Sequence, residues 1–389
     1  MPAVVISAVR TAVGTARKGS LANTPPESLA ATTIRAAIER AGLAAGAVDD
    51  IVLAESLAGG GAIARHAAVE LGMVRVAGMA VNRHCAGGLA AVGIAAGAIM
   101  SGMERVVVAG GVNSGSFLPA MQQRDPTSGA LIERWLPPTH PDSAEAPNRD
   151  MSITVGWNTA KALGLTRQEL DAWALRSHER AIAAIDAGRF KDEIVPVAIR
   201  NADGDQSMFA TDEHARRGLT LEKLGALAPL HPEIEGFSIT AGNASGLNDG
   251  AAAMVITDAD EARAAGHTAL ATIRGWTAVG IDPAHTGLAV ADVVNKLLDR
   301  AGRRTADIAL WEINEAFSSV PLAAARMLAL DEDRINISGS GCSIGHPIGA
   351  SGVRMLTTLT NDLRRRGGGL GVAAMCAGGG QAGAVLIEV

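Results

Sequence analysis

"IRAAIERAGLAAGAVDDIVLAES" runs from Ile34 to Ser56, and "VNKLLDRAGRRTADIALWEIN" runs from Val294 to Asn314. Both read as an amphipathic helix, then Arg-Ala-Gly, then a short linker, then Asp-Ile and a strand. Arg40-Ala41-Gly42 matches Arg300-Ala301-Gly302, and Glu55 matches Glu312. The glycine is a natural C-cap in each copy. The likeness continues downstream. "AGMAVNRHCAGGLAAVGIAAGAIMSGMERVVVAGG" ends at Gly111, and "RINISGSGCSIGHPIGASGVRMLTTLTNDLRRRGGGLGVAAMCAGG" ends at Gly379. Each reads as strand, cysteine-containing turn, helix, strand and Gly pair, with Cys85 and Cys342 at roughly matching points. A doubled βαβ pattern predicts two similar α/β halves whose apolar strands are covered by helices on both faces. Their active site would lie where the halves meet.

Sequence of another kind separates the copies. Residues from about 116 to 245 carry prolines and scattered charges, as in "QQRDPTSGALIERWLPPTHPDSAEAPNRD". A helix follows in "TRQELDAWALRSHERAIAAIDAGRF", with Thr166 as N-cap and Glu169 completing a capping box. Such an excursion often builds a substrate-binding lid. The chain divides on this reading into a first half, residues 1–115 plus 246–265, an inserted loop domain, 116–245, and a second half, 266–389.

Composition sets the outer limits. The 389 residues are 48% hydrophobic and 19% charged, as in a folded globular protein with a large core. Aromatic residues are only 3%, so bulk comes from Ala, Val, Leu and Ile. A net charge of −6 argues against a nucleic-acid partner but leaves room for an anionic small ligand on a local basic patch. Three widely spaced cysteines without metal spacing suit a reducing cytoplasm. "MPAVVISAVRTAVG" reads as a first strand rather than a signal peptide. The apolar run at 85–100 is diluted by glycine and reads as a buried helix rather than a membrane span.

Four short stretches, three of them Gly-rich, carry reactive side chains: "NRHCAGG", "EINEAF", "SIGHPIGASG" and "MCAGGGQAG". Cys85 stands at a strand-to-helix junction, where the helix end would favour a thiolate. Gly87 and Gly88 leave the approach to it open. A buried structural cysteine would read the same way. His346 sits in a rigid Gly-His-Pro turn and suits either a base for a thiol or a structural role. Cys376 ends the strand "LGVAAM", and the glycines after it expose N–H groups able to hold an oxyanion. Asn314 ends the strand "IALWEI"; its amide could position a water or simply cap a turn. His84, in an extended segment, would point away from Cys85, and Cys342 reads as packing.

Taken together, these stretches resemble the thiolase family. The resemblance runs through the whole chain in order, including "GGVNSG" and "TAGNASGLNDGAAAM". It implies a five-layered αβαβα fold of two duplicated halves with a loop domain inserted in the first. It implies acyl exchange through coenzyme A, in which a 3-ketoacyl-CoA is cleaved by CoA or formed in the reverse condensation. Cys85 would then be the nucleophile and His346 its activator. Cys376 would exchange the Cα proton. Asn314, through a water, and His346 would form one oxyanion site, and the N–H groups of Cys85 and Gly378 the other. Arg216 would pack by the adenine, with Lys223 nearby in a basic group. Ser245 would touch the pantetheine, Phe317 would line the acyl-cysteine end, and Met151 the acyl pocket. CoA and acetyl-CoA are substrates on this reading, with no permanently bound cofactor and no metal. A homodimer or homotetramer is implied, with partner enzymes of β-oxidation possible.

Departures from the pattern bear on the substrate. "SGSGCSIGHP" stands where the family commonly has Gly-Gly-Ala-Ile before Gly-His-Pro. A residue is added at "GWN" near Trp157, and Asp150-Met151 stands where short-chain biosynthetic members have His before Met. The last of these departures points to a degradative 3-ketoacyl-CoA thiolase. The alternatives are an acetoacetyl-CoA-forming acetyltransferase and, in another class, a non-catalytic acyl-CoA-binding subunit.

Overall fold

The computed structural model describes residues 2–58, 61–133, 137–200, 204 and 206–389. Nine strands form the main path of its large sheet. They are β1 (Ala3–Thr11), β2 (Asp50–Ala54), β3 (Met79–Val81), β4 (Val106–Ser114), β5 (Asn248–Asp258), β6 (Ala271–Gly280), β7 (Ile308–Ile313), β8 (Leu370–Ala377) and β9 (Gln381–Glu388). Their order is β7-β8-β9-β6-β1-β5-β4-β2-β3.

That order is the same pattern written twice. In the first half β1, β5 and β4 pair antiparallel and β2 joins β4 in parallel. In the second half β6, β9 and β8 pair antiparallel and β7 joins β8 in parallel. β3 closes the first half beside β2; its counterpart is a single parallel bridge from Trp311 to Ile335. The two half-sheets are joined where Val4 and Val5 of β1 face Thr272 and Ala271 of β6.

The helices repeat too. In the first half they are α1 (Pro26–Arg40), α2 (Ile63–Glu70) and α3 (Gly87–Met100). Next comes α4 (Arg167–Asp186) in the excursion. The second half has α5 (Ala289–Ala301), α6 (Ser319–Leu328) and α7 (Ser351–Arg365). The expected turn glycines after α1 and α5 are present: Gly42 and Gly302 both take left-handed φ, 68° and 61°.

Three apolar cores separate the layers. One packs Leu29, Ile34 and Ala64 of α1 and α2 against Ile51, Val108 and Val255 of the first half-sheet. Another packs Val294, Leu297 and Val320 of α5 and α6 against Val372, Ala374 and Leu386 of the second. The third holds Leu89 and Val92 of α3 and Val353 and Leu359 of α7 between Val52 and Met254 on one side and Met375 and Val385 on the other. The layers are therefore helix, sheet, helix, sheet, helix. α3 is apolar almost all round because it lies in the middle layer, with sheet on both sides. Gly88 and Gly352 let the central helices touch: a Cβ on Gly352 would lie 2.4 Å from the Leu89 nitrogen. Gly88 thus serves helix packing rather than access to Cys85.

A buried ionic knot ties the excursion to the first half. Arg10 of β1 donates to Glu193 at 2.7 Å and to both oxygens of Asp212, at 2.7 and 2.9 Å. Glu193 also accepts from Thr358 and Asn361 of α7.

Candidate active site

Cys85 stands two residues ahead of α3, held by a turn in which His84 takes φ 44°. The Asn82 side chain accepts from the His84 N–H at 2.8 Å, and the Ser56 hydroxyl donates to the His84 carbonyl at 3.0 Å. This is not the extended segment expected from sequence. The His84 ring turns toward the other half instead, so that a Cβ on Gly378 would lie 3.8 Å from its Cγ. Cys342 stands nine residues ahead of α7, so the two cysteines are not counterparts. Cys342 is buried and its thiol donates to the Glu315 carbonyl at 3.6 Å, a packing role.

A cavity of about 230 Å³ gathers residues from both halves. Cys85 comes from the first half, and His346, Cys376 and Gly378 come from the second. Met151 and Ser245 come from the excursion, and Phe317 closes one side. The Ser245 N–H donates to the Ala316 carbonyl at 2.9 Å, which brings the two loops together. Val155, Leu247 and Ile348 complete an apolar lining and carried no sequence signal of their own.

Asn314 lies behind His346, fully buried, with its amide nitrogen 3.4 Å from each ring nitrogen. Its side-chain oxygen has no partner among the described residues. A buried acceptor left open in this way suits a water or a substrate group. His346 Nδ1 lies 2.6 Å from the Ser351 hydroxyl, and the His346 N–H donates to Asn248 at 2.9 Å. Ser351 and Asn248 orient the imidazole and leave Nε2 as its working face. Both stand inside the quoted motifs, "GHPIGASG" and "GLNDG", but nothing in a lone Ser or Asn marks such a role.

Burial dominates the protonation states. It pushes the Cys85 thiol up to about 11, against N–H groups of Gly378 and of Cys85 itself that point at the sulfur. The helix end expected to favour a thiolate does not outweigh that desolvation. Cys376 is pushed higher still, by burial and by the neighbouring Cys85. Burial and then Arg354 lower His346 to about 3, so its ring is neutral at rest. The resting site is thus two neutral thiols and a neutral imidazole.

The candidate CoA contacts lie further out. Arg216 and Lys223 are exposed. Lys223 Nζ donates to the Gly218 carbonyl at 2.6 Å, and Arg217 pairs with Asp186. The Arg216 N–H donates to His178 at 3.1 Å. His178 and His214 are both lowered to about 4 by burial, and His214 packs beneath Gly246 at the cavity mouth. Among the described residues no cluster of three or more His, Cys, Asp or Glu could hold a metal ion. No helix among them is long and apolar enough to cross a membrane.

Comparison with known proteins agrees with this architecture. Residues 3–260 match the thiolase N-terminal domain and residues 267–389 the thiolase C-terminal domain. An acetyl-CoA acetyltransferase of Pseudomonas aeruginosa is 40% identical over 386 residues, covering 97% of each chain. Human mitochondrial 3-ketoacyl-CoA thiolase superposes with a TM-score of 0.91 at 32% identity, covering 100% of this chain and 98% of that one. The acetyl-CoA acetyltransferase of Bacillus anthracis gives a TM-score of 0.89 at 35% identity, again covering 100% and 98%. The chain belongs to the thiolase family and is an acyltransferase with that family's five-layered fold.

Proposed function

We propose that the enzyme cleaves 3-ketoacyl-CoA with CoA through an acyl-Cys85 intermediate. The observation that carries this reading is the meeting of Cys85, His346 and Cys376 in one cavity. His346 takes the proton from Cys85 as the sulfur adds to the 3-keto carbon. The Cα–Cβ bond then breaks, leaving the acyl group on Cys85 and the enolate of acetyl-CoA. Cys376 protonates that carbon, and acetyl-CoA leaves. A second CoA gives its thiol proton to the Cys376 thiolate and attacks the thioester. Acyl-CoA departs and His346 returns the proton to Cys85. Two separate thiols are needed because one sulfur cannot hold the acyl group and exchange the Cα proton at once.

Negative charge builds on an oxygen at each step and must be met by fixed donors. The open amide of Asn314, through a water, and His346 Nε2 form one such site. The N–H groups of Cys85 and Gly378 form the other. Ser245 meets the pantetheine, Arg216 the adenine and Lys223 the phosphates. Residues 116–245 act as the loop domain that receives CoA, inserted between 1–115 and 246–265, with 266–389 as the second half.

Asp150-Met151 at the pocket supports a degradative role on longer 3-ketoacyl chains. A second reading, formation of acetoacetyl-CoA, draws on the cavity of about 230 Å³ and on the names of the relatives. Thiolysis rates across chain lengths separate the two. Efficient turnover of the four-carbon substrate alone rejects the degradative role. We place the enzyme in the cytoplasm, a setting supported by three free thiols. A homodimer or homotetramer is supported by exposed apolar side chains, Met79, Ile94 and Met103 among them, and other β-oxidation enzymes are its expected companions.

A further inference from the structure

One wall of the cavity is built in an uncommon way. Ser152–Trp157 winds as a π-helix before an ordinary turn, Asn158–Ala162. A π-turn is how a helix absorbs an added residue without losing its ends, and it re-aims the side chains on either side. Here it presents Met151 and Val155 to the cavity. Gly156 backs onto Phe317, where a Cβ would lie 2.9 Å from the ring.

A single loop holds both ends of this turn. At its start, Asp150 accepts from the N–H and hydroxyl of Ser152, at 3.0 and 2.6 Å. The other Asp150 oxygen lies 2.8 Å from His231 Nε2, and His231 Nδ1 lies 2.7 Å from Glu233. Both ring nitrogens therefore face carboxylates, and Glu233 and Asp150 raise the imidazole pKa above its ordinary value. At the turn's end, Trp157 packs on Phe237, ring centres 5.4 Å apart, and Phe237 meets the edge of His231 at 5.0 Å.

We propose that the His231–Asp150 pair is a positioning clamp. It locks the π-turn so that Met151 and Val155 stay against the cavity, and it thereby sets how large an acyl chain the site accepts. The proposal rests on the 3-ketoacyl-CoA reading above. It makes no use of His231 as a catalytic group, because His231 lies outside the cavity.

The test is a double-mutant cycle read as a ratio of kcat/KM values for 3-ketooctanoyl-CoA and acetoacetyl-CoA. Asp150→Asn keeps an oxygen to cap the turn, and His231→Phe keeps a ring beside Phe237. Each single change is expected to raise the ratio about five- to tenfold, the scale on which a pocket discriminates chain length. The double variant is expected to raise it no further, because both changes break the same link. The rate of Cys85 alkylation by iodoacetamide stays at the wild-type value. An unchanged ratio in the single variants, or additive effects in the double, overturns the clamp. If His231→Phe does not fold, His231→Leu, which also removes the contact to Asp150, replaces it in the cycle under the same two outcomes. The wild-type chain-length profile tests the substrate reading, and the change between variant and wild type tests the clamp, so each can fail alone.

Discussion

The joint into the last strand of each half is built twice, in opposite ways. β8 passes to β9 through Gly378, Gly379 and Gly380 alone. β4 reaches β5 only after residues 115–247. Both joints border the cavity. The short one starts two residues after Cys376, at the end of β8, and brings the N–H that points at the Cys85 sulfur. The long one brings Met151, Val155 and Ser245. The tight joint carries the chemistry, where small displacements matter most, and the long joint carries the fit to the substrate. A duplicated scaffold has thus divided the work by the length of one connection.

The largest effect that could break this division lies at the strand end that leads into the short joint. Cys376→Ser leaves Cys85 and His346 in place, so a first acyl transfer to Cys85 survives as a burst with an activated acyl donor. Thiolysis of 3-ketoacyl-CoA falls by about 10³-fold or more, because a hydroxyl is a far poorer partner for the Cα proton. Near-normal steady-state turnover would move that proton transfer elsewhere.

The next effect concerns how the short joint treats Cys85. With its thiol pushed up to about 11, only a small fraction is thiolate at neutral pH. Alkylation of Cys85 by iodoacetamide is expected to accelerate about tenfold per pH unit from 7 to 10. Bound acyl-CoA is expected to block it. A plateau below pH 8 would mean that the site rests as a thiolate–imidazolium pair, and the neutral resting state would be wrong.

Sequence reached different depths in the two regions. The doubled halves were legible because helix, turn glycine and strand recur in order, from Ile34 to Ser56 and from Val294 to Asn314. That the site lies where the halves meet followed from the same doubling; which side chains meet there was implied only by the resemblance to thiolases. Protonation states did not follow, since a helix end is local and visible while the burial that outweighs it comes from the other half. Ser351 and Asn248 stayed hidden because their roles exist only once α7 and β5 pack beside His346. Near Trp157 an added residue could be seen, but not the π-turn it forms nor the loop from 231 to 237 that grips it.

Gly379 gives a smaller test of the short joint. Its φ is 83°, and a Cβ there would lie 2.6 Å from the Thr139 carbonyl of the excursion. Gly379→Ala is expected to lose about 1–3 kcal/mol in denaturant unfolding. It also lowers kcat for every chain length alike, because the neighbouring Gly378 N–H shifts from the Cys85 sulfur. A change confined to long substrates would instead put selectivity in the short joint.

The smallest effect belongs to the long joint, in the helix that anchors it. Thr166 caps α4: its hydroxyl accepts from the Glu169 N–H at 3.3 Å, and Glu169 accepts from the Thr166 N–H at 2.7 Å. Glu169 also reaches across to Arg326 of α6 in the second half. Thr166→Ala removes the hydroxyl but leaves the Glu169 carboxylate in place, so one of the two reciprocal bonds survives. The expected loss is about 0.5–1 kcal/mol, at the lower end for a helix cap. Acetoacetyl-CoA turnover is expected to hold, because α4 contributes nothing to the cavity wall. If Thr166→Ala were as damaging to thiolysis as Gly379→Ala, the long joint would be as rigid a part of the machinery as the short one, and connection length would explain nothing about which joint does the chemistry.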